Sequence, residues 1–258
     1  MPDVPAPRPA ATILPLRDGA SGVEVLMVRR NLKSDFVGGA YVFPGGALDA
    51  ADAIRAALGP DDATASRRLG LAAGGLAYFH AAVRELFEEA GLLLAATPDG
   101  ATEAVVRQRD ALNAARTRLN AHEDDFDAVL ARAGLVVDLR GLGYLSHWVT
   151  PLGQPRRYDT RFFVVAAPVD QVAGHDEGET VAHRWIRPGD ALLAAERGEM
   201  TVILPTLRNL AAIADFARAA DVVAFAHAQE SVPRIEPRMV ERDGAVHIVV
   251  PGDPGYDD

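Results

Sequence analysis

Apolar and polar positions follow a helical period most regularly between residues 76 and 90. Four apolar residues spaced i, i+3, i+4 and i+7 share one face: Val83, Leu86, Phe87 and Ala90. Three glutamates within one turn share the opposite face: Glu85, Glu88 and Glu89. Because residues three and four apart are neighbours on a helix, the pattern predicts a helix with one buried face and one strongly negative face. Gly91 follows, where a helix end favours a left-handed residue.

Shorter patterns predict the other elements. Apolar or alternating runs predict strands at residues 11–17, 23–30, 41–43, 144–150, 160–167 and 181–187. Helical spacing predicts helices at residues 48–58, 101–133, from 188 onward, 204–219 and 221–229, with a break over 59–75. Residues 236–250 predict a hairpin that turns at Asp243-Gly244. Since strands and helices are mixed without strict alternation, we predict an α/β fold with a mixed β-sheet between helical layers.

Composition and charge exclude several kinds of site. The 258 residues carry a formal net charge of −10 and are 49% hydrophobic, so we expect a buried core and no nucleic-acid or anionic-membrane partner. The chain has no cysteine, which excludes disulfides, zinc–thiolate sites and thiol nucleophiles. No uncharged apolar window of about 18 residues occurs, and the first ten residues lack the pattern of a signal peptide. We therefore expect a cytoplasmic protein.

The cluster of three glutamates has two interpretations. Carboxylates within one helical turn repel each other unless a cation lies among them, and hard oxygen ligands favour magnesium or manganese. The alternative is an ordinary solvated helix face. The residues around the cluster favour the metal site.

Residues 84–92 read R-E-L-F-E-E-A-G-L, which resembles the second half of the Nudix box, G-x5-E-x7-R-E-U-x-E-E-x-G-U, where U is a bulky aliphatic residue. If Gly46 is the glycine of the box, Asp52 lies where glutamate is expected. Arg84 then lies 24 residues beyond its position in the pattern. A loop between the turn and the helix can accept such an insertion, because the cost of loop closure grows slowly with length.

The interrupted box, with V-F-P-G-G at residues 42–46, is similar to a Nudix subgroup that includes the peroxisomal coenzyme A diphosphatase type of animals. The stretches H-W-V-T-P at 147–151 and R-R-Y-D-T-R-F-F at 156–163 also look like that subgroup. The resemblance implies a Nudix domain over residues 11–200, with inserts at about 53–75 and 101–133. A flexible arm over residues 1–10 precedes it, and C-terminal helices and a hairpin over 201–258 pack on the same domain.

The resemblance also implies an activity: the metal-dependent hydrolysis of a diphosphate linkage in a small nucleoside diphosphate derivative, with Mg²⁺ or Mn²⁺ as cofactor. Coenzyme A or acyl-coenzyme A is the leading substrate. ADP-ribose, a dinucleotide or a sugar nucleotide remains an alternative, as does a non-catalytic module that senses a nucleotide. The inserts would select the substrate or form a homodimer contact.

Family resemblance assigns the site residues as follows. Glu85, Glu88, Glu89 and the carbonyl of Gly45 would bind metal, with Glu88 and Glu89 also counted as catalytic. Arg84 would orient a glutamate, since a guanidinium holds carboxylates through two hydrogen bonds. Asp52 is the weaker candidate, and its position is often structural.

The general base is expected in the acidic loop of residues 174–180, with Glu179 preferred and Glu177 as the alternative. Arg29 and Arg30 would meet substrate phosphates, or else serve only as soluble strand ends. Tyr41 and Phe43 would stack on a base or on pantetheine, with a place in the core as the alternative.

Overall fold

The computed structural model describes residues 5–32, 37–53, 57–176, 178–242 and 244–257. Its strands are β1 (Arg8–Gly19), β2 (Gly22–Arg30), β3 (Tyr41–Val42), β4 (Gly45–Ala47), β5 (Ala57–Leu58), β6 (Ala95–Ala96), β7 (Val136–Asp138), β8 (Gly143–Val149), β9 (Tyr158–Ala166), β10 (Thr180–Ile186), β11 (Arg234–Ile235), β12 (Arg238–Arg242) and β13 (Ala245–Val249). Its α-helices are α1 (Asp62–Leu69), α2 (Gly75–Ala90), α3 (Glu103–Arg107), α4 (Arg109–Asn120), α5 (Phe126–Ala133), α6 (Pro188–Glu196), α7 (Leu204–Ile213) and α8 (Ala219–Ala228).

A mixed sheet lies at the centre of the molecule. Its strand order is β10-β2-β1-β9-β8-β11, with β3 paired to β2 and β4 paired to β1. The pairs β1–β9 and β8–β11 are parallel, whereas β1–β2, β2–β10 and β8–β9 are antiparallel. The predicted α/β class with a mixed sheet is confirmed.

Helices cover both faces of the sheet. Ile13, Leu26 and Phe163 point to the face that carries α2. Their sequence neighbours point to the opposite face, where Leu210 of α7 and Val222 of α8 complete a second core. The two cores explain why β1 and β2 read as nearly continuous apolar runs, since both faces of these strands are buried. The C-terminal helices therefore pack on the same sheet as the helix of the Nudix box.

Two elements between the turn and α2 differ from prediction. The helix predicted over 48–58 is wrong for the described residues, where a short 3₁₀ turn occurs at Ala50–Asp52 and strand β5 at Ala57–Leu58. The carboxylate of Asp49 accepts a hydrogen bond from the N–H of Ala51, and the carboxylate of Asp52 accepts one from the N–H of Asp49. This reciprocal cap ends the turn after three residues. Residues 54–56 lie outside the described residues. Conversely, α1 forms inside the segment where a break was predicted, between caps at Asp61 and Gly70.

The predicted N-terminal arm is shorter than expected. Strand β1 begins at Arg8, which pairs with Tyr158 of β9, so the last residues of the predicted arm belong to the sheet. Residues 1–4 lie outside the described residues.

The two inserts pack at opposite ends of α2. The first places Asp62 of α1 beneath the start of α2, where its carboxylate accepts hydrogen bonds from the N–H groups of Gly74 and Leu76. A Cβ on Gly75 would lie 2.3 Å from the backbone nitrogen of Ser66, so this close packing requires glycine. The second insert forms α3, α4 and α5, and packs beside the C-terminal half of α2. Within the described ranges, no helix has both the length and the apolar character needed to cross a bilayer.

Candidate active site

The glycine turn, Gly45–Gly46, and the glutamate helix, α2, meet directly, although Gly45 and Glu89 are 44 residues apart in sequence. The N–H of Gly45 donates to Oε2 of Glu89 at 3.2 Å. A Cβ on Gly46 would lie 2.5 Å from Oε1 of Glu85, so only glycine lets β4 approach this carboxylate without displacement. Pairing of β4 with β1 holds the turn under α2. The fold thus joins the two separated halves of the motif.

Arg84 lies at the centre of the carboxylates. Its Nε and Nη2 donate to the two oxygens of Asp52 at 2.9 and 3.1 Å. Its Nη1 donates to Glu85 and to Glu88, each at 2.8 Å. Only 13% of its side chain is exposed, so these charge-assisted bonds are partly shielded from water. This geometry agrees with the predicted orienting role of Arg84, which extends to two glutamates.

Asp52 is the buried acidic partner of Arg84. It is fully buried, and His80 lies 3.2 Å from its Oδ1. Burial by itself would raise the pKa of Asp52, but the hydrogen bonds from His80 and Arg84 lower it below its usual value. The other ring nitrogen of His80 lies 3.0 Å from Asp127 of α5. Asp52 therefore serves as the buried counter-ion of Arg84, consistent with a structural position.

The glutamates are crowded enough to disfavour their charged forms. Burial is the main cause that raises the pKa of Glu85 to about 7, and the charge of Glu88 adds to it against the effect of Arg84. Burial, with the charges of Glu85 and Glu179, raises the pKa of Glu89 well above its ordinary value. Burial also raises the pKa of Glu88. A nearby cation would favour the ionised forms.

The late acidic loop lies beside these glutamates. The carboxylate of Asp176 accepts hydrogen bonds from the N–H groups of Glu179 and Thr180, at 2.9 and 2.7 Å. The N–H of Asn31 donates to the carbonyl of Glu179 at 2.9 Å, which ties the loop to the end of β2. The side chain of Glu179 is 65% exposed. Glu177, the alternative base, lies outside the described residues.

Arg30 and Arg29 leave β2 on opposite faces. Arg30 follows Leu26 and Val28 on the face of α2, and its Nη2 lies 3.8 Å from Oε1 of Glu179. Its buried Nε has no hydrogen-bond partner among the described residues. Arg29 is exposed and belongs to the other face. Only Arg30 of this predicted pair is therefore placed beside the carboxylates.

The two predicted stacking residues also lie on the face away from α2. Phe43 is 2% exposed and belongs to the second core, which Tyr41 packs against. The N–H of Tyr41 donates to the carbonyl of Thr201. Their placement favours the alternative core role.

A cleft of about 1290 Å³ opens between α2 and the second insert. Its lining includes the glutamates and Arg84, and also Val105, Val106 and Leu112 from α3 and α4. Four further polar residues of the site were not predicted: His80, Arg116, Asn120 and Asp127. The i, i+4 spacing of Arg116 and Asn120 was the only sequence signal for any of them.

The chemistry of the donor set fits a hard divalent cation. Three glutamate side chains supply only oxygen donors, and a cation among them would offset the burial and mutual repulsion that raise the pKa of Glu85 and of Glu89. Among the described residues, however, no three acidic or histidine side chains converge as a ready-made metal site. In this arrangement Arg84 lies between Glu85 and Glu88 and draws both carboxylates toward itself. Binding of a cation would require these side chains to reorient.

A mixed sheet, a glycine turn and a glutamate helix joined by a buried arginine define a Nudix domain. The family model of the NUDT19 Nudix domain matches residues 55–213, more than half of the chain, and the protein belongs to this family. It is therefore an enzyme of the Nudix hydrolase class, as the resemblance implied.

Relatives match nearly the whole chain. The human acyl-coenzyme A diphosphatase NUDT19 is 29% identical over 275 residues, which covers 92% of this chain and 73% of the human protein. The chicken acyl-coenzyme A diphosphatase NUDT19 is also 29% identical, and the match covers 92% of this chain and 74% of the chicken protein. A solved NUDIX hydrolase from Alicyclobacillus acidocaldarius has a TM-score of 0.67 and 30% identity. The match covers 88% of this chain and 98% of that one.

Proposed function

We propose that the protein is a divalent-metal-dependent diphosphatase that hydrolyses coenzyme A or acyl-coenzyme A at the diphosphate linkage. The observation that carries the reaction type is the contact of Gly45 and Gly46 with Glu89 and Glu85 across the interrupted box. The observation that supports the substrate is the match to the human and chicken acyl-coenzyme A diphosphatases over 92% of this chain.

Glu85, Glu88 and Glu89, with the carbonyl of Gly45, would hold the metal. A bound divalent cation would supply positive charge that neutralises the diphosphate and favours attack by water. Arg84 keeps Glu85 and Glu88 on the side of the helix that faces the turn, because its Nη1 bonds to both. Gly45 fixes Glu89 through the backbone N–H.

Glu179 is the proposed general base. It is exposed enough to meet a water molecule, and the backbone bonds to Asp176 and Asn31 position it beside α2. In the proposed step, water attacks a phosphorus atom while its proton passes to the Glu179 carboxylate, and the bond from that phosphorus to the bridging oxygen breaks. Arg30 lies on the same side and would bind the phosphate oxygens as negative charge develops on the leaving group.

The cleft fits a substrate with one charged part and one apolar arm. The glutamates and Arg84 supply charged lining, whereas Val105, Val106 and Leu112 of the second insert form an apolar part of its wall. Val106 is 37% exposed, so part of this wall is open to a ligand. A pantetheine or acyl chain would bury apolar surface there, at about 25 cal/mol per Å² removed from water.

A panel of substrates tests this proposal. Purified protein with Mg²⁺ or Mn²⁺ would be incubated with coenzyme A, acyl-coenzyme A, ADP-ribose, a dinucleoside polyphosphate and a sugar nucleotide. Mass spectrometry of the products would show which bond breaks. We expect coenzyme A or its acyl form to give the highest kcat/KM, and chelation with EDTA to abolish the reaction. Preference for another member would replace the substrate, and no hydrolysis of any member would exclude the diphosphatase function.

A further inference from the structure

The C-terminal end of α2 is held by two segments that are distant in sequence. A helix leaves its last four carbonyl groups without intrahelical partners. Here Gly91, the residue directly after the helix, donates its N–H to the carbonyl of Phe87 at 2.9 Å. The carbonyls of Glu88 and Ala90 are bound from outside the helix, and the carbonyl of Glu89 lies against the hydroxyl of Thr180. This end carries two of the glutamates proposed to hold metal, so the groups that bind it also fix the proposed site.

The second insert binds the first of these carbonyls. Nε of Arg116 donates to the carbonyl of Glu88 at 3.0 Å, and Nδ2 of Asn120 donates to the same oxygen at 3.1 Å. Both residues lie on α4, one turn apart, next to the buried stripe formed by Leu112, Ala115 and Leu119. A cation at a helix C-terminus is also favoured by the helix dipole.

The late acidic loop binds the carbonyl of Ala90 and contacts that of Glu89, since the hydroxyl of Thr180 donates its proton to Asp176 at 2.6 Å. The N–H of Gly174 donates to the carbonyl of Ala90 at 2.9 Å, and the hydroxyl of Thr180 lies 3.5 Å from that of Glu89. These two contacts lie on either side of Glu179 and Asp176. The loop that carries the proposed base is therefore docked on the same helix end.

Arg116 joins the two segments. Its Nη2 donates to the carbonyl of Gly174 at 2.8 Å, while its Nε remains on Glu88. Within the described ranges Arg116 makes no ion pair, and its guanidinium binds backbone carbonyls instead. A rigid two-pronged donor suits this geometry, whereas a lysine ammonium is a single point that cannot reproduce the fork.

We propose that Arg116 is a positioning residue that sets the distance between the Glu88–Glu89 turn and the loop of Glu179. The inference rests on the proposed function for the roles of these glutamates. The two hydrogen bonds of Arg116 that join the helix end to the loop, called the clamp below, are a property of the fold. The second insert thereby takes part in building the site, together with the glycine turn.

Three variants test the clamp: Arg116→Ala, Arg116→Lys and, as a matched control on the same helix, Arg118→Ala. Arg118 is exposed and bonds to Asp124 at the surface. Hydrogen exchange would be measured at the amides of Gly174, Glu179 and Thr180, with Phe163 in the central sheet as an internal reference. We expect about 10-fold faster exchange at the loop amides in Arg116→Ala, an unchanged Phe163, and no change in Arg118→Ala.

Kinetics on the preferred substrate complete the test. Since small displacements of reacting groups cost up to about 100-fold, we expect kcat of Arg116→Ala to fall by about 10- to 100-fold, with KM within about 3-fold of the parent. Arg116→Lys should recover part of the loss. Unchanged loop exchange in Arg116→Ala, or a lowered Tm with unchanged kcat, would overturn the clamp. Hydrogen exchange needs no substrate. It therefore tests the clamp even if the parent enzyme hydrolyses no substrate.

Discussion

Arg84 and Asp52 form a two-pronged ion pair across the insertion in the Nudix box, with N–O distances of 2.9 and 3.1 Å. The pair connects the start of the interrupted segment to the helix that follows it. Asp52 therefore fixes where Arg84 lies, and Arg84 in turn holds Glu85 and Glu88. An ion pair that is fully buried on one side thereby supports the positions of the glutamates.

Removing Asp52 should destabilise the protein. In Asp52→Ala the guanidinium of Arg84 loses its buried counter-ion, and breaking such a pair costs about 3 kcal/mol. Asp52→Asn keeps an acceptor oxygen and should lose less. The free energy of unfolding would be measured by urea titration. Asp110→Ala is the control, since this side chain is fully exposed and its change should stay within about 0.5 kcal/mol. Equal urea midpoints for Asp52→Ala and the parent would contradict the anchoring role.

Gly46→Ala should impair activity through a single added methyl group. The new Cβ would lie 2.5 Å from Oε1 of Glu85, so the carboxylate must move away from the turn. We expect kcat to fall by about 10-fold or more, since a displaced catalytic group costs that much or more. Gly189→Ala is the matched control, because a Cβ there meets nothing within 4 Å. Parental kcat in Gly46→Ala would show that this contact plays no part in the reaction.

Neutralising Glu88 or Glu89 should separate activity from stability. Glu88→Gln and Glu89→Gln should each lower kcat by about 100-fold, the scale for losing a key charged group. In the metal-free protein at pH 8, Glu89→Gln should raise Tm, because burial and the charge of Glu85 raise the pKa of Glu89 and so make its ionised form unfavourable in the folded state. Glu196→Gln on α6 is the exposed control. Near-parental kcat in both site variants would exclude the assignment of these glutamates.

The effect of magnesium on stability should depend on pH through Glu85. The pKa of its folded form is raised to about 7 from an ordinary value of 4.5. Below about pH 4.5 both states are protonated and its stabilising contribution is complete. Between about pH 4.5 and 7 the folded state retains a proton that the unfolded state has lost, so metal-free stability falls as pH rises. Magnesium binds the ionised form, so its stabilising effect should grow across the same window.

Differential scanning fluorimetry at pH 5, 6, 7 and 8, with and without magnesium, measures this dependence. Glu85→Gln is the reference, since it cannot ionise. Its metal-free Tm should fall less than that of the parent as pH rises. A magnesium-induced increase in Tm that is the same at pH 5 and pH 8 would contradict the link to Glu85.

The short local periods of the chain determined much of the fold. The glutamate helix was predicted from Leu76 and begins at Gly75, because its apolar stripe and its three carboxylates follow one helical period. Strands β1, β2, β3, β8, β9 and β10 of the central sheet were also predicted to within a few residues, since buried runs bounded by turns are visible in sequence. The short strands β4 and β11 of the same sheet were not predicted. The segment 48–58 was wrongly predicted as a helix, because a reciprocal aspartate cap and a buried ion pair outweigh its helical spacing.

The sequence by itself thus determined most of the elements, the class of enzyme and the three glutamates that share one helix face. Only the tertiary structure decided which residues surround them. Pairing of β4 with β1 brings Gly46 against Glu85, and the packing of α4 beside α2 brings Arg116 to the carbonyl of Glu88. These contacts join residues that are far apart along the chain, and no local period encodes such a contact. It arises when several buried faces pack against one sheet.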